Sequence, residues 1–204
     1  MTWERIEVEG GELILVRDWL DRDSAEWYFG ELRTATDWEQ STIVIAGREV
    51  RIPRLNAWYG DRGRAYTYSG KRFEALPWSE SLASLRGRTQ DTVDGFASAV
   101  EFRINSALLN LYRNGADSVG WHSDDEPELG PRPQIASVSL GASRRFVLKH
   151  RRDAANKLEL ILDSGSLLLM LGGIQHRWRH ALPKTRRPVG ERINITFRQV
   201  FASG

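Results

Sequence analysis

The chain has 204 residues, 41% of them hydrophobic, with 29 Lys+Arg against 27 Asp+Glu and no cysteine. That length suits one domain with a substantial core, and the composition excludes collagenous, low-complexity and disulfide-built classes. Without thiols, any bound metal must be held by His, Asp or Glu.

In chain order, Gly11 to Val16 reads as a strand. An amphipathic helix is predicted from Asp23 to Thr34, capped by Asp23 or Ser24, with Trp27, Tyr28 and Leu32 as its apolar stripe. Residues Ile43 to Ile52 read as a hairpin turning at Ala46-Gly47, and two further helices are predicted at Ser79 to Arg86 and Val93 to Glu101. From there the pattern changes to short strands: Ala107 to Tyr112, Ile135 to Leu140, Arg145 to Lys149, Leu158 to Leu162, Ser166 to Met170 and Arg192 to Val200. Many short strands separated by Gly, Pro, Asn and Asp predict a mainly β chain with flanking helices, built as a barrel-like antiparallel double sheet. The longest apolar run, Ser166 to Leu171, is too short to span a bilayer, and Met1 to Arg5 lacks a basic-then-apolar pattern. A cytoplasmic monomer with no membrane partner is expected.

Chemistry concentrates in two places. His122 and Asp124 sit two residues apart, and on extended backbone both side chains face the same way and can grip one ion. About 50 residues on, Gln175-His176-Arg177-Trp178-Arg179-His180 offers a further imidazole, and the spacing does not choose between His176 and His180. Two imidazoles and a carboxylate cover one face of an octahedral ion and leave positions open, as in non-haem Fe(II) oxygenases. The segment Arg192-Ile193-Asn194-Ile195-Thr196-Phe197-Arg198 alternates strictly, so packing its apolar set on a core turns Arg192, Asn194, Thr196 and Arg198 to the other face. Two guanidinium forks there suit a dicarboxylate.

The near-neutral total hides a division: residues 1 to 129 carry 15 Lys+Arg against 23 Asp+Glu, net −8, and residues 130 to 204 carry 14 against 4, net +10. Clusters at Arg144-Arg145, Lys149-His150-Arg151-Arg152 and Lys184-Thr185-Arg186-Arg187, beside a metal centre, read as a footprint for a phosphate backbone.

Five collinear blocks carry a family resemblance: Asn110-Leu111-Tyr112, His122-Ser123-Asp124, Ile135 to Gly141, His180-Ala181-Leu182-Pro183 and Arg192 to Arg198. From about Pro53 to Phe201 the chain resembles the AlkB family of Fe(II)/2-oxoglutarate-dependent dioxygenases, and Pro53 to Asp61 with Tyr66 to Gly70 is closest to its duplex-DNA-repair branch. The resemblance implies a double-stranded β-helix (jelly roll) core over residues 106–204, preceded by an N-terminal extension and nucleotide-recognition lid over 1–105, in a single domain. It implies Fe(II) held by His122, Asp124 and His180, with His176 behind those ligands or on the substrate side. 2-Oxoglutarate would meet Asn110, Tyr112, Arg192, Asn194, Thr196 and Arg198, with O2 as the other co-substrate. Tyr66, Thr67 and Tyr68 resemble the lid that stacks the target base, Asp125 and Glu126 would read a cationic N-methylated base, and Arg54 and Arg64 would hold flanking phosphates. The implied activity is oxidative demethylation of bases such as 1-methyladenine and 3-methylcytosine in alkylated DNA, or possible RNA, releasing formaldehyde and succinate. The hairpin departs from that branch: Ile45-Ala46-Gly47-Arg48 offers only Ile45 as a bulky wedge, which predicts relatively better use of single-stranded substrate. Two other classes fit parts of the pattern, a His2Asp zinc hydrolase, which leaves Arg192 and Arg198 idle, and a non-catalytic nucleic-acid-binding module, which leaves the ligand set idle.

Overall fold

The computed structural model describes residues 2–45, 47–62, 65–68, 71–96 and 102–201, with the backbone alone for Ile45 and residues 65–68 and 71–74. Fifteen strands and three α-helices appear among them: β1 (Trp3–Val8), β2 (Gly11–Val16), α1 (Arg22–Ala35), β3 (Thr42–Ile45), β4 (Arg48–Arg51), β5 (Leu55–Gly60), β6 (Ala65–Tyr68), β7 (Lys71–Glu74), α2 (Glu80–Phe96) and β8 (Ser106–Tyr112). The second half adds β9 (Val119–His122), β10 (Ile135–Gly141), β11 (Arg144–His150), β12 (Lys157–Leu162), β13 (Ser166–Gly172), α3 (Ile174–Arg177), β14 (Trp178–Leu182) and β15 (Arg192–Arg198).

Two antiparallel sheets face each other, as the strand pattern predicts. The larger runs β1-β2-β13-β10-β15-β8-β5 and the smaller β12-β11-β14-β9. Strands β1, β2 and β5 come from before residue 105 yet belong to the larger sheet. Its outer face, with Val138, Ile193, Ile195 and Phe197, is covered by α1 and α2 through Tyr28, Leu32, Leu82 and Leu85. Between the sheets, Leu13, Leu15, Ile135, Leu168 and Met170 pack on Phe146, Leu148, Leu160 and Trp178. No described helix is long and apolar enough to cross a membrane.

Several boundaries differ from the sequence reading. The first helix is capped two or three residues earlier than predicted, by Asp21, whose carboxylate accepts the Ser24 N–H at 2.7 Å. Its buried stripe is Ala25, Tyr28 and Leu32, while Trp27 is 53% exposed, because the ring lies off the arc that meets the sheet. The two helices expected around residues 79–101 are one, α2, as far as Phe96, with residues 97–101 outside the described set. Leu82, Leu85, Thr89 and Val93 keep a single buried stripe across Gly87, so tertiary packing outweighs that glycine's cost of about 1 kcal/mol. The hairpin at β3 and β4 forms with Gly47 at φ +76°, a left-handed geometry a glycine accepts; Ala46 lies outside the described residues.

The loop from β8 into β9 delivers the His122 segment, and buried charges fix it. Arg144, 3% exposed, donates to the carbonyls of Asn114, Asp117 and Pro183 at 3.2, 2.9 and 2.9 Å. It is therefore a buried staple and not the phosphate contact its cluster suggested. Asp117, also buried, accepts from the backbone N–H and the guanidinium of Arg113 at 3.0 and 2.8 Å. Burial pushes the Asp117 carboxyl up, but those bonds outweigh it and hold its pKa below the usual carboxylate value. A lowered pKa contributes stability that is present above about pH 4 and lost as pH falls through the folded value. Asp117→Asn is accordingly expected to cost about 1–3 kcal/mol at neutral pH. Denaturant unfolding should show that difference shrinking as the pH is lowered through the acid range.

Candidate active site

Because β9 pairs with β14, register places His122 opposite His180 across the smaller sheet. Strand alternation turns both rings inward, 4.3 Å apart and edge to face, with Phe146 at 5.3 Å beneath His180. Asp124 follows just beyond β9, and the ligand atoms of His122, Asp124 and His180 all lie within 4.8 Å of one another.

The surrounding bonds leave ligand atoms free in a converging set. His122 Nδ1 lies 2.8 Å from the Gly120 carbonyl, which fixes it as the protonated nitrogen and leaves Nε2 as a donor to a metal. Asp124 Oδ1 accepts from Arg198 at 2.6 Å, while Oδ2 faces His180 Nε2 at 3.7 Å. The Asp124 N–H is held at 3.0 Å by Gln175, which is fully buried. Burial and the neighbouring His122 push His180 down to about 3, so its ring is neutral at physiological pH, as a metal ligand must be. Burial pushes the Asp124 carboxyl up, but Arg198, then His180, His122 and Arg54, outweigh it and keep the carboxylate ionised. Three converging donors of the right kind therefore fit a divalent ion with open coordination positions.

Beside them lies a cavity of about 350 Å³. Register across the larger sheet sets Ser139, Asn194, Asn110, Asn56 and Glu39 in one row, from β10 through β15, β8 and β5 to an isolated bridge at Glu39. Four of them, Asn194, Asn110, Asn56 and Glu39, line the cavity together with Tyr112, Thr196, Arg192 and Arg198. Arg192 is 2% exposed, donates to Ser139 at 2.9 Å and lies 5.4 Å from the Tyr112 ring, but its Nε has no hydrogen-bond partner among the described residues. Burial lowers its pKa to about 10, so it remains charged. A buried cation with an unanswered donor costs stability unless an anion meets it, and a dicarboxylate would.

Two expected roles are corrected. Arg54 is 7% exposed and inside the cavity, bonded to Asn110 Oδ1 at 2.7 Å, because Pro53-Arg54 leads directly into β5; it does not reach out to a phosphate. His176 is exposed and bonds the Pro131 carbonyl at 2.7 Å, since the short α3 turns it away from the centre and turns Gln175 in. Gln175 and Asn56 were given no role by the sequence reading, nor was the exposed pair Asp37 and Glu39 at the cavity rim. Gln175 and Asn56 lie within stretches the sequence singled out for other residues, and only the pairing of β5 with β8 and the turn of α3 point them to the site. Asp125 is paired with Arg151 at 2.5 Å, and Glu126 precedes the short turn at Pro127–Leu129. The side chains of Tyr66, Thr67 and Tyr68, and all of Arg64, lie outside the described residues.

The chain is similar to known proteins. A family model described as "2OG-Fe(II) oxygenase superfamily" matches residues 12–198. The human alpha-ketoglutarate-dependent dioxygenase alkB homolog 3 is 37% identical over 191 residues, covering 89% of this chain and 64% of that protein, so the chain spans less than two thirds of that relative. The human DNA oxidative demethylase ALKBH2 is 33% identical, covering 98% of this chain and 77% of that protein. The solved structure of OsALKBH1 superposes with a TM-score of 0.65 at 16% identity, covering 96% of this chain, and shows the same fold.

Adding Mn(II), a redox-quiet divalent ion, should raise the melting temperature of the chain. At a metal concentration 100 times Kd the gain is about 2.7 kcal/mol, or roughly 5–10 °C for a chain of this size. His180→Ala should show no metal-dependent rise. Arg192→Gln should keep the metal increment and lose the further one that 2-oxoglutarate adds.

Proposed function

The chain belongs to the 2OG-Fe(II) oxygenase superfamily, and from that premise we propose that it is an Fe(II)/2-oxoglutarate-dependent dioxygenase that removes alkyl groups from N-alkylated bases, such as 1-methyladenine and 3-methylcytosine, in DNA. One observation carries this reading: a converging His122, Asp124 and His180 opens onto the same cavity as a buried Arg192 whose Nε has no hydrogen-bond partner among the described residues. When bound, the iron with 2-oxoglutarate and O2 would supply oxidative hydroxylation of an N-alkyl carbon, with succinate, CO2, formaldehyde and the unmodified base as products.

The chain's own residues do the rest. His122, Asp124 and His180 would hold the ion, and Arg198 orients the Asp124 carboxylate by claiming one oxygen. Arg192, Tyr112 and Asn110, with Asn194 and Thr196, offer the co-substrate a polar, cationic inner wall. The cavity changes sign toward solvent: Arg54, Arg192 and Arg198 lie inside and Asp37 and Glu39 at the rim. A dianion is favoured within and a cationic base at the mouth, which orients two substrates of opposite charge by electrostatics alone. Trp58 and Leu108 give the cavity apolar wall against which a flat ring can pack. Tyr66, Thr67 and Tyr68 are proposed to stack and hold the extruded base. Asp125 and Glu126 are proposed to read its exocyclic and cationic edge, Asp125 after release from Arg151. The relatives support this reading through their printed names, a dioxygenase and a DNA oxidative demethylase.

Incubating the chain with Fe(II), 2-oxoglutarate, ascorbate and an oligonucleotide carrying 3-methylcytosine should release formaldehyde and succinate in equal amounts, and His122→Ala should release neither. Succinate without formaldehyde would move the substrate elsewhere, and neither product would overturn the reading. In matched assays, a single-stranded oligonucleotide should be demethylated faster relative to duplex than in a variant carrying Ala46→Phe at the hairpin tip.

A further inference from the structure

The reverse face of the smaller sheet is where the unspent positive charge collects. Strand alternation turns His180 into the cavity and its neighbour Arg179 outward. Register places Arg179 directly across from Lys149, and Lys149 directly across from Lys157, so three cations form one row over β14, β11 and β12. Arg179 and Lys157 are exposed and Lys149 is half-buried. Directly opposed side chains on antiparallel strands lie about 5 Å apart, where like charges destabilise the pair. No carboxylate answers any of the three among the described residues: the neighbouring Glu159 is taken by Arg145, and Asp125 by Arg151.

An aromatic completes the surface. Trp121 precedes His122 on β9 and so points the opposite way, 42% exposed, with the Lys149 ammonium 4.3 Å from its ring centre. On β14 Lys149 is paired with Arg179 and Val147 with Ala181, so the contact from Lys149 to Trp121 runs diagonally across that strand. A row of unanswered cations beside an exposed flat ring is the pairing that binds single-stranded nucleic acid, phosphates on the cations and a base on the ring. The location fits as well. Strand β9 is the edge of its sheet, and its residues Val119 and His122 line the cavity. A chain with one nucleotide in the cavity reaches the reverse face by passing over that single strand.

We propose that the outward face formed by Lys157, Lys149, Arg179 and Trp121 is a track for the single-stranded nucleic acid flanking the target nucleotide. This rests on the reading of the substrate as a nucleic acid, and the self-repulsion of the row is the cost that the bound phosphates offset.

The test uses the full chain and an unmodified oligothymidylate, with binding followed by fluorescence anisotropy over a series of salt concentrations. Replacing Lys149, Lys157 and Arg179 together by Gln should make the slope of log K against log salt shallower by about 2, at roughly 0.7 per phosphate released. Trp121→Ala should weaken binding by roughly five-fold or more, and Trp121→Phe should restore most of it. The triple variant should melt no lower than the parent, because a repulsion has been removed, and should demethylate a single N-methylated nucleotide at the parental rate. An unchanged slope in the triple variant while the parent binds overturns the track and leaves the enzymatic reading intact. A parent that fails to bind the oligomer overturns the track, and a parent that also releases no formaldehyde from the nucleotide overturns the substrate reading beneath it.

Discussion

Arg198 and Asp124, 2.6 Å apart and both almost fully buried, join the last strand of the larger sheet to the segment that follows the edge of the smaller one. Neither charge could be buried alone, since an unpaired ion in this interior costs several kcal/mol. The pair therefore fixes where the two sheets meet, and it does so at the carboxylate that would hold the metal. One oxygen of Asp124 is spent on the guanidinium and the other is left beside His180. The ligand geometry and the packing of the double sheet are thus secured by the same contact, and Gln175 adds a bond to the Asp124 backbone that holds the turn from behind.

Charge is sorted by depth around this contact. Arg54, Arg192 and Arg198 sit in the cavity, acids sit at its rim, and a second set of cations lies on the outward face of the sheet that carries the histidines. Alternation along β9 and β14 makes this possible: a strand one residue thick separates His122 and His180 from Trp121 and Arg179, and successive side chains face opposite solvents. The same sorting explains why several of the basic residues in the C-terminal third already have partners. Arg144 is consumed by three carbonyls, Arg145 by Glu159 and Arg151 by Asp125.

The parts legible in the sequence were those whose information is local. The two-residue spacing of His122 and Asp124 and the alternation from Arg192 to Arg198 each imply a face; β15 delivers the second as read, and the first survives although β9 ends at His122 and Asp124 lies just beyond it. The strands that were missed, β1, β5, β6, β7, β9 and β14, are short or mixed in polarity, and their identity comes from the partner they pair with rather than from their own pattern. The split of α2 into two had a similar origin, since Gly87 is a local break that only the continuous packing of Leu82, Leu85 and Val93 overrides.

By itself the sequence determined the ligand types, the inward face of the last strand and the balance of charge, because each follows from residue identity and a period of two. Only the tertiary structure decided which of two nearby histidines turns inward, that Arg54 enters the cavity, that Gln175 braces the Asp124 turn, and which cations remain unpaired. Those depend on register between strands distant in the chain and on which carboxylate or carbonyl a guanidinium meets first. Such partners are set by the pairing of whole sheets, and no window of neighbouring residues contains them.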